Sequence, residues 1–174
     1  MNIAIFGGSF DPVHLGHIEV VQKALEMGID KVIVVPNFLN PLKNKTSAPA
    51  ELRYKWLKEV FNDFENVEIS DFEINQKRPV YSIETINHFK PKYFIIGSDN
   101  LKTLDKWKNI DEILNKVELI VAKRDEIDKN LAKKYNIKKI IDVEVPISST
   151  EIRNGRFKYL PHNLEKEIKK FYKK

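Results

Sequence analysis

The 174-residue sequence predicts an α/β fold: a parallel sheet with helices on both faces, in a single domain spanning residues 1–174. Three observations predict it. Apolar runs of strand length alternate with segments of helical period. No apolar run approaches the length of a membrane span. No internal repeat or low-complexity linker divides a chain long enough for one sizeable core.

Element by element, Ile3–Phe6 reads as a first strand, and Leu15–Met27 as a helix with Ile18, Val21 and Leu25 on one face and Gly28 as its stop. Val32–Val35 is a second strand. Pro49–Phe61 is a helix carrying Leu52, Trp56, Leu57 and Val60, with Trp56 read as core. Val67–Ile69 and Phe72–Ile74 read as short extended pieces. Ser82–Phe89 follows as a short helix, then Tyr93–Ile96 as a strand ending in Gly97. Ile110–Lys116 is helical, Glu118–Ala122 a strand, Asp128–Tyr135 a helix and Lys139–Ile141 a strand. The chain finishes helical from Ser149 and again from Pro161. Its least regular stretch, residues 36–50 (PNFLNPLKNKTSAPA), is of a length that compact domains usually reserve for functional or mobile loops.

Composition narrows the function. There are no cysteines, so disulfides and thiolate chemistry are excluded. The start, Met1-Asn2-Ile3, lacks the basic-then-apolar pattern of a secretory signal, and a cytoplasmic protein is expected. The net charge of +5 admits nucleic acid or a polyanionic small molecule as partner. The lysines are spread rather than blocked, which reads as a solvated surface; neither nucleic acid nor a membrane is expected as a partner. The terminal KKFYKK reads as an exposed helix end.

The first chemical signal is NIAIFGGSFDPVHLGH, residues 2–17. It lies at the carboxyl end of the first strand, where open α/β sheets bind ligands. Gly7 and Gly8 allow close approach of a bound group. His14 and His17, three apart at a helix start, share a face. Two imidazoles together with helix N-terminal N–H groups suit phosphate oxygens. The stretch is not a P-loop, because no Lys-Ser/Thr follows the glycines, and it lacks the spacing of the dinucleotide fingerprint. A zinc site has little support: only His88 and His162 remain, both read as surface, and no metal-binding residue is assigned. The second signal is ISSTEIR, residues 147–153. Ser148 and Glu151 fit a capping box, which a purely structural helix would also carry. The functional alternative is a second anion-binding helix start, with Ile147, Ser148, Ser149 and Arg153 facing a polyphosphate.

GGSFDPVHLGH together with ISSTEIR resembles the HxGH nucleotidyltransferase superfamily, whose members have a Rossmann-like fold and join a nucleotide to a phosphate-bearing acceptor. The middle of the chain is similar to the bacterial nicotinate-nucleotide adenylyltransferases. The markers are VYSIETI (80–86), IIGSDNL (95–101), Leu104, Trp107 and VAKR (121–124). The resemblance implies ATP and nicotinate mononucleotide as substrates, with Mg²⁺ arriving on the ATP. It implies catalytic roles for His14, His17, Lys43 and Arg153. ATP binding is implied for Gly7, Gly8, Ser9, Phe10, His14, His17, Gly97, Asp99, Ile147, Ser148, Ser149 and Arg153, and acceptor binding for Thr85 and Trp107. Asp99 as a helix cap and Trp107 as a core residue are the structural alternatives. Two departures stand out. The family's usual Pro-Pro-His-Lys loop reads NPLKNK here, with Leu42 in place of the histidine, and the segment after Arg153 is short. Competing readings are a related nucleotidyltransferase using nicotinamide mononucleotide or phosphopantetheine, a non-catalytic nucleotide sensor and a nucleic-acid-binding module. Oligomeric state is not legible.

Overall fold

The computed structural model describes residues 1–39 and 48–173. Six parallel strands form one sheet: β1 (Ile3–Gly8), β2 (Lys31–Pro36), β3 (Val67–Ile69), β4 (Tyr93–Gly97), β5 (Glu118–Lys123) and β6 (Lys139–Asp142), in the spatial order β3-β2-β1-β4-β5-β6. The order reverses between β1 and β4, so the crevice at their carboxyl ends is where such a sheet receives a ligand.

Strand side chains alternate between faces, and the core splits accordingly. Ala4, Phe6, Val32, Val34 and Ile95 point into one layer; Ile5, Ile33, Val35, Phe94 and Ile96 point into the other. The first layer is closed by α1 (Leu15–Glu26), α2 (Ala50–Val60) and, near the end of the chain, α8 (Glu165–Tyr172). The second is closed by α4 (Ser82–Phe89) and α5 (Ile110–Lys116), with Tyr135 after α6 (Lys129–Lys134) at its edge. Trp56 is fully buried in the first layer, as its spacing with Leu52 and Val60 implies. Ile5, Ile95 and Ile120 are also fully buried, each contributing about 1.5–3 kcal/mol of transfer free energy.

Three expectations need correction. Phe72–Ile74 is not extended: Ser70 Oγ accepts the Phe72 N–H at 3.1 Å and turns the chain into a short helix, α3 (Phe72–Asn75). Ser98–Lys106, to which the sequence reading assigns no element, is a 3₁₀ helix; its buried Leu101 and Leu104 are three apart, the period at which 3₁₀ side chains eclipse. KKFYKK is not simply an exposed end, because Tyr172 is 6 % exposed and packs with Phe171 against Trp56. The short segment after α7 (Ser149–Arg153) runs back over α1, where Tyr159 O accepts the Leu15 N–H at 2.8 Å.

Candidate active site

The histidine pair caps its own helix. His14 is the N-cap of α1, and its Nδ1 accepts the Gly16 N–H at 3.0 Å. His17 Nδ1 accepts the His14 N–H, also at 3.0 Å, completing a reciprocal capping box built from imidazoles. The helix N–H groups are therefore not open to a ligand, contrary to the sequence reading: those of Leu15, Gly16 and His17 are all taken. What remains is on the rings. With both Nδ1 atoms accepting, a neutral ring carries its proton on Nε2, so each imidazole has one Nε2–H to offer.

Burial keeps the rings neutral. His14 is pulled down to about 3 by desolvation, with the Arg124 charge adding to it and Glu151 opposing. His17 is pulled well below its ordinary value by desolvation, then by His14 and Arg124. The two rings lie 3.9 Å apart, and Phe10 abuts His17 at 4.9 Å. Phe10 is 3 % exposed and holds a left-handed backbone at φ 50°, a conformation costing a non-glycine residue about 1 kcal/mol. Its contribution to the cleft is mainly the support it gives His17.

The late serine–arginine segment docks on this turn. Ser149 Oγ donates to Pro12 O at 2.9 Å, and Arg153 donates to Asp11 O at 2.7 Å. Ser148 caps α7, accepting the Glu151 N–H at 3.1 Å. The two helix starts thus converge on one cleft of about 560 Å³. Gly7, Gly8, Ser9, Phe10, His14, His17, Gly97, Asp99, Ile147, Ser148, Ser149 and Arg153 all line it. Asp99 is exposed there, in the first turn of the 3₁₀ helix. Lys43 lies outside the described residues, as do Pro41 and Leu42.

Gly7, Gly8 and Asn100 also line a second, smaller cavity of about 120 Å³. A side chain on Gly8 would press on the Phe10 ring at 3.3 Å, so the bare backbone leaves room for that ring. Trp107 forms part of this cavity's wall, its ring edge-on to Phe94. Thr85 does not line it. It is fully buried, and its hydroxyl is donated to Glu73 Oε2 at 2.6 Å; the carboxyl of Glu73 is what lines the cavity.

Several polar residues at the site were given no role in the sequence reading, although Arg124 closes the VAKR marker. Arg124, immediately after β5, lines the cleft and donates to Ile147 O at 2.5 Å; its place at a strand's carboxyl end was the available signal. Arg53 is fully buried, donating to Ser9 O at 2.7 Å, Ala48 O at 2.9 Å, Phe38 O at 3.1 Å and Asn37 Oδ1 at 3.4 Å. It lies three and four residues before Trp56 and Leu57, on the apolar face, which is where an arginine is conspicuous. Asn37 Nδ2 donates to Ser9 Oγ at 3.1 Å, and nothing around it in the sequence marks it. Glu73 is likewise silent in the sequence. Asp11, 2 % exposed, ties the turn down: its Oδ1 accepts the Ala48 N–H at 3.1 Å and the Tyr172 hydroxyl.

Comparison with known proteins supplies the family. The profile of the family described as cytidylyltransferase-like matches residues 5–155. The chain belongs to that family. Among the family's curated members, it is 45 % identical to a protein of a Nitratiruptor species named "Probable nicotinate-nucleotide adenylyltransferase", covering 99 % of both chains. It is 41 % identical to one of the same name from Aliarcobacter butzleri, covering 97 % of this chain and 95 % of the relative. These matches place it in the nicotinate-nucleotide adenylyltransferase branch of the cytidylyltransferase-like family. Among solved structures, the Plasmodium falciparum nicotinic acid mononucleotide adenylyltransferase complexed with NaAD superposes with a TM-score of 0.79 at 22 % identity, covering 98 % of this chain and 95 % of that one. At that identity the likeness establishes the Rossmann-like fold.

Proposed function

We propose that the chain transfers the adenylyl group of ATP to nicotinate mononucleotide, releasing pyrophosphate and forming nicotinate adenine dinucleotide in NAD biosynthesis. The observation that carries the reading is the convergence of His14, His17, Ser149 and Arg153 on one cleft that adjoins a cavity walled by Trp107. The names of the full-length relatives supply the acceptor.

The acceptor phosphate is an anionic nucleophile, so the reaction needs no strong base. It needs two anions brought into line and the charge on departing pyrophosphate stabilised. In this reading the Nε2–H groups of His14 and His17 donate to triphosphate oxygens. The guanidiniums of Arg153 and Arg124 supply the positive field, and the acceptor phosphate approaches over the bare backbone of Gly7 and Gly8. These donors are fixed before the ligand arrives, which is what makes electrostatic stabilisation efficient.

Among the described residues, no group of three or more His, Cys, Asp or Glu is gathered to hold a metal. A Mg²⁺ would be carried by the phosphates of ATP and its own waters, with the exposed Asp99 as the carboxylate at hand. The ion would supply charge neutralisation on the triphosphate. No helix among the described residues is long and apolar enough to cross a membrane, and the cytoplasm, where ATP is plentiful, is the compartment this reading implies.

A pyrophosphate-release assay with ATP tests it, using nicotinate mononucleotide, nicotinamide mononucleotide and phosphopantetheine as separate acceptors. Turnover is expected to be highest with nicotinate mononucleotide. Release with phosphopantetheine alone, or with no acceptor, would overturn the reading.

A further inference from the structure

The acceptor cavity carries an ionisable side chain that the transfer itself does not use. Glu73 sits in α3 at 8 % exposure and lines the cavity with Val80, Tyr81 and Ser82. Its Oε2 is occupied by the Thr85 hydroxyl. Oε1 can therefore take up or release a proton while the Thr85 bond persists, because a carboxylic acid keeps an accepting oxygen.

We propose that Glu73 is the specificity-determining residue that reads acid against amide at the acceptor's pyridine ring. As the neutral acid it donates a hydrogen bond to the ring carboxylate. As the carboxylate it repels that group and accepts from a carboxamide N–H instead. The inference rests on the acceptor assigned above and adds the group that senses it.

The surroundings agree. Burial pushes the Glu73 carboxyl up to about 7, the Thr85 bond pulls it back, and the negative charge of Glu84 adds to the rise. The titratable and charged groups around it are Asp71 at the start of its own helix, Lys77 and Arg78 in the following loop, Glu84 and His88 on α4, and Tyr81, Lys106 and Lys108 on the cavity wall. Glu84 is held by Arg78 at 2.7 Å, and Lys108 stands 4.9 Å from the Tyr81 ring. The facing end of β2, Val34 to Pro36, contributes no titratable group. Among the residues that line the cavity, Glu73 is the one carboxyl group.

The test is the ratio of kcat/KM for nicotinate mononucleotide to that for nicotinamide mononucleotide, followed from about pH 6 to about pH 8.5. Titration of the shared phosphate, of ATP and of the cleft cancels in the ratio. Where the amide is not turned over, its competitive inhibition constant replaces its kcat/KM. In the wild type the ratio is expected to fall as pH rises through about 7, with a limiting slope of about tenfold per pH unit. In Glu73→Gln, which is always a donor, the ratio is expected to be flat. In Thr85→Val the inflection is expected at higher pH, because the bond that favours the ionised form is gone. A flat wild-type ratio, or a slope that survives in Glu73→Gln, overturns the proposal. Should Glu73→Gln fail to fold, the wild-type and Thr85→Val profiles decide. Turnover of neither acceptor at any pH overturns the assigned acceptor, and this proposal with it.

Discussion

In the cleft, two basic rings are held neutral by burial; in the cavity beside it, an acidic group is pushed toward neutrality by the same cause. The two regions share Gly7, Gly8 and Asn100 but are secured differently. His14 and His17 are locked by backbone N–H groups of their own helix, so their orientation follows from forming α1 at all. Glu73 is held by a side chain from another helix, Thr85 of α4. A pair built on backbone caps is held in place by the helix itself. A cavity wall built on one carboxyl–hydroxyl pair depends on two side chains alone. The difference is between a pair fixed along with its helix and a pair that one substitution can retune.

The harshest way to break the comparison is to remove what joins the two regions. Arg53 reaches Ser9 on the cleft side and Asn37 on the cavity side. Arg53→Met removes the guanidinium's hydrogen bonds to the Ala48, Ser9 and Phe38 carbonyls and to Asn37 Oδ1. Unfolding free energy is expected to fall by about 3–5 kcal/mol in a denaturant titration, as several hydrogen bonds from one charged donor are lost together. A loss under about 1 kcal/mol would show the network to be dispensable.

The next test separates cap from donor. His17→Ala is expected to lower kcat/KM about 10²–10³-fold and to cost about 1 kcal/mol of stability through the lost cap. His17→Gln keeps an oxygen that can accept the His14 N–H, as glutamine does in ordinary capping boxes. It should restore most of the stability without restoring the rate. Recovery of both would assign His17 to the cap alone.

The mildest test sets the two neutral states against each other. His14 has a folded-state value near 3 against 6.5 unfolded, so the unfolded chain binds the extra proton and stability is lost as pH falls below 6.5. By about pH 5 His14 contributes a loss of about 2 kcal/mol. Glu73 acts in the opposite sense: raised from 4.5 to about 7, it is the folded state that keeps the proton, so its penalty grows as pH rises through that window. Stability measured from about pH 5 to about pH 7 should therefore flatten in His14→Gln and steepen in Glu73→Gln. Equal slopes in the two variants and the wild type would remove the asymmetry between the regions.

Much of this could be read from the chain because the informative features are local. The alternation of apolar runs and helical periods located the six strands, and the glycine–histidine turn and ISSTEIR pointed to the cleft. What could not be read was long-range or turned inward. Nothing in the sequence shows that His14 and His17 spend their Nδ1 atoms on the backbone. Glu73 and Thr85 are twelve residues apart and meet only because α3 and α4 pack together. Arg53 stands out on the apolar face of its helix, but its acceptors lie in separate loops that no local pattern connects. The 3₁₀ helix over Ser98–Lys106 escaped because a three-residue spacing of Leu101 and Leu104 is also compatible with an α-helix fragment or a loop.

The bond from Tyr172 to Asp11 joins positions 161 residues apart. The turn that holds Asp11 is therefore translated well before the residue that clamps it. On the ribosome, that turn must wait for α8 to emerge before its carboxylate meets the tyrosine hydroxyl. Synthesis cut short before α8 would leave the sheet's strands made and the turn without one of its clamps.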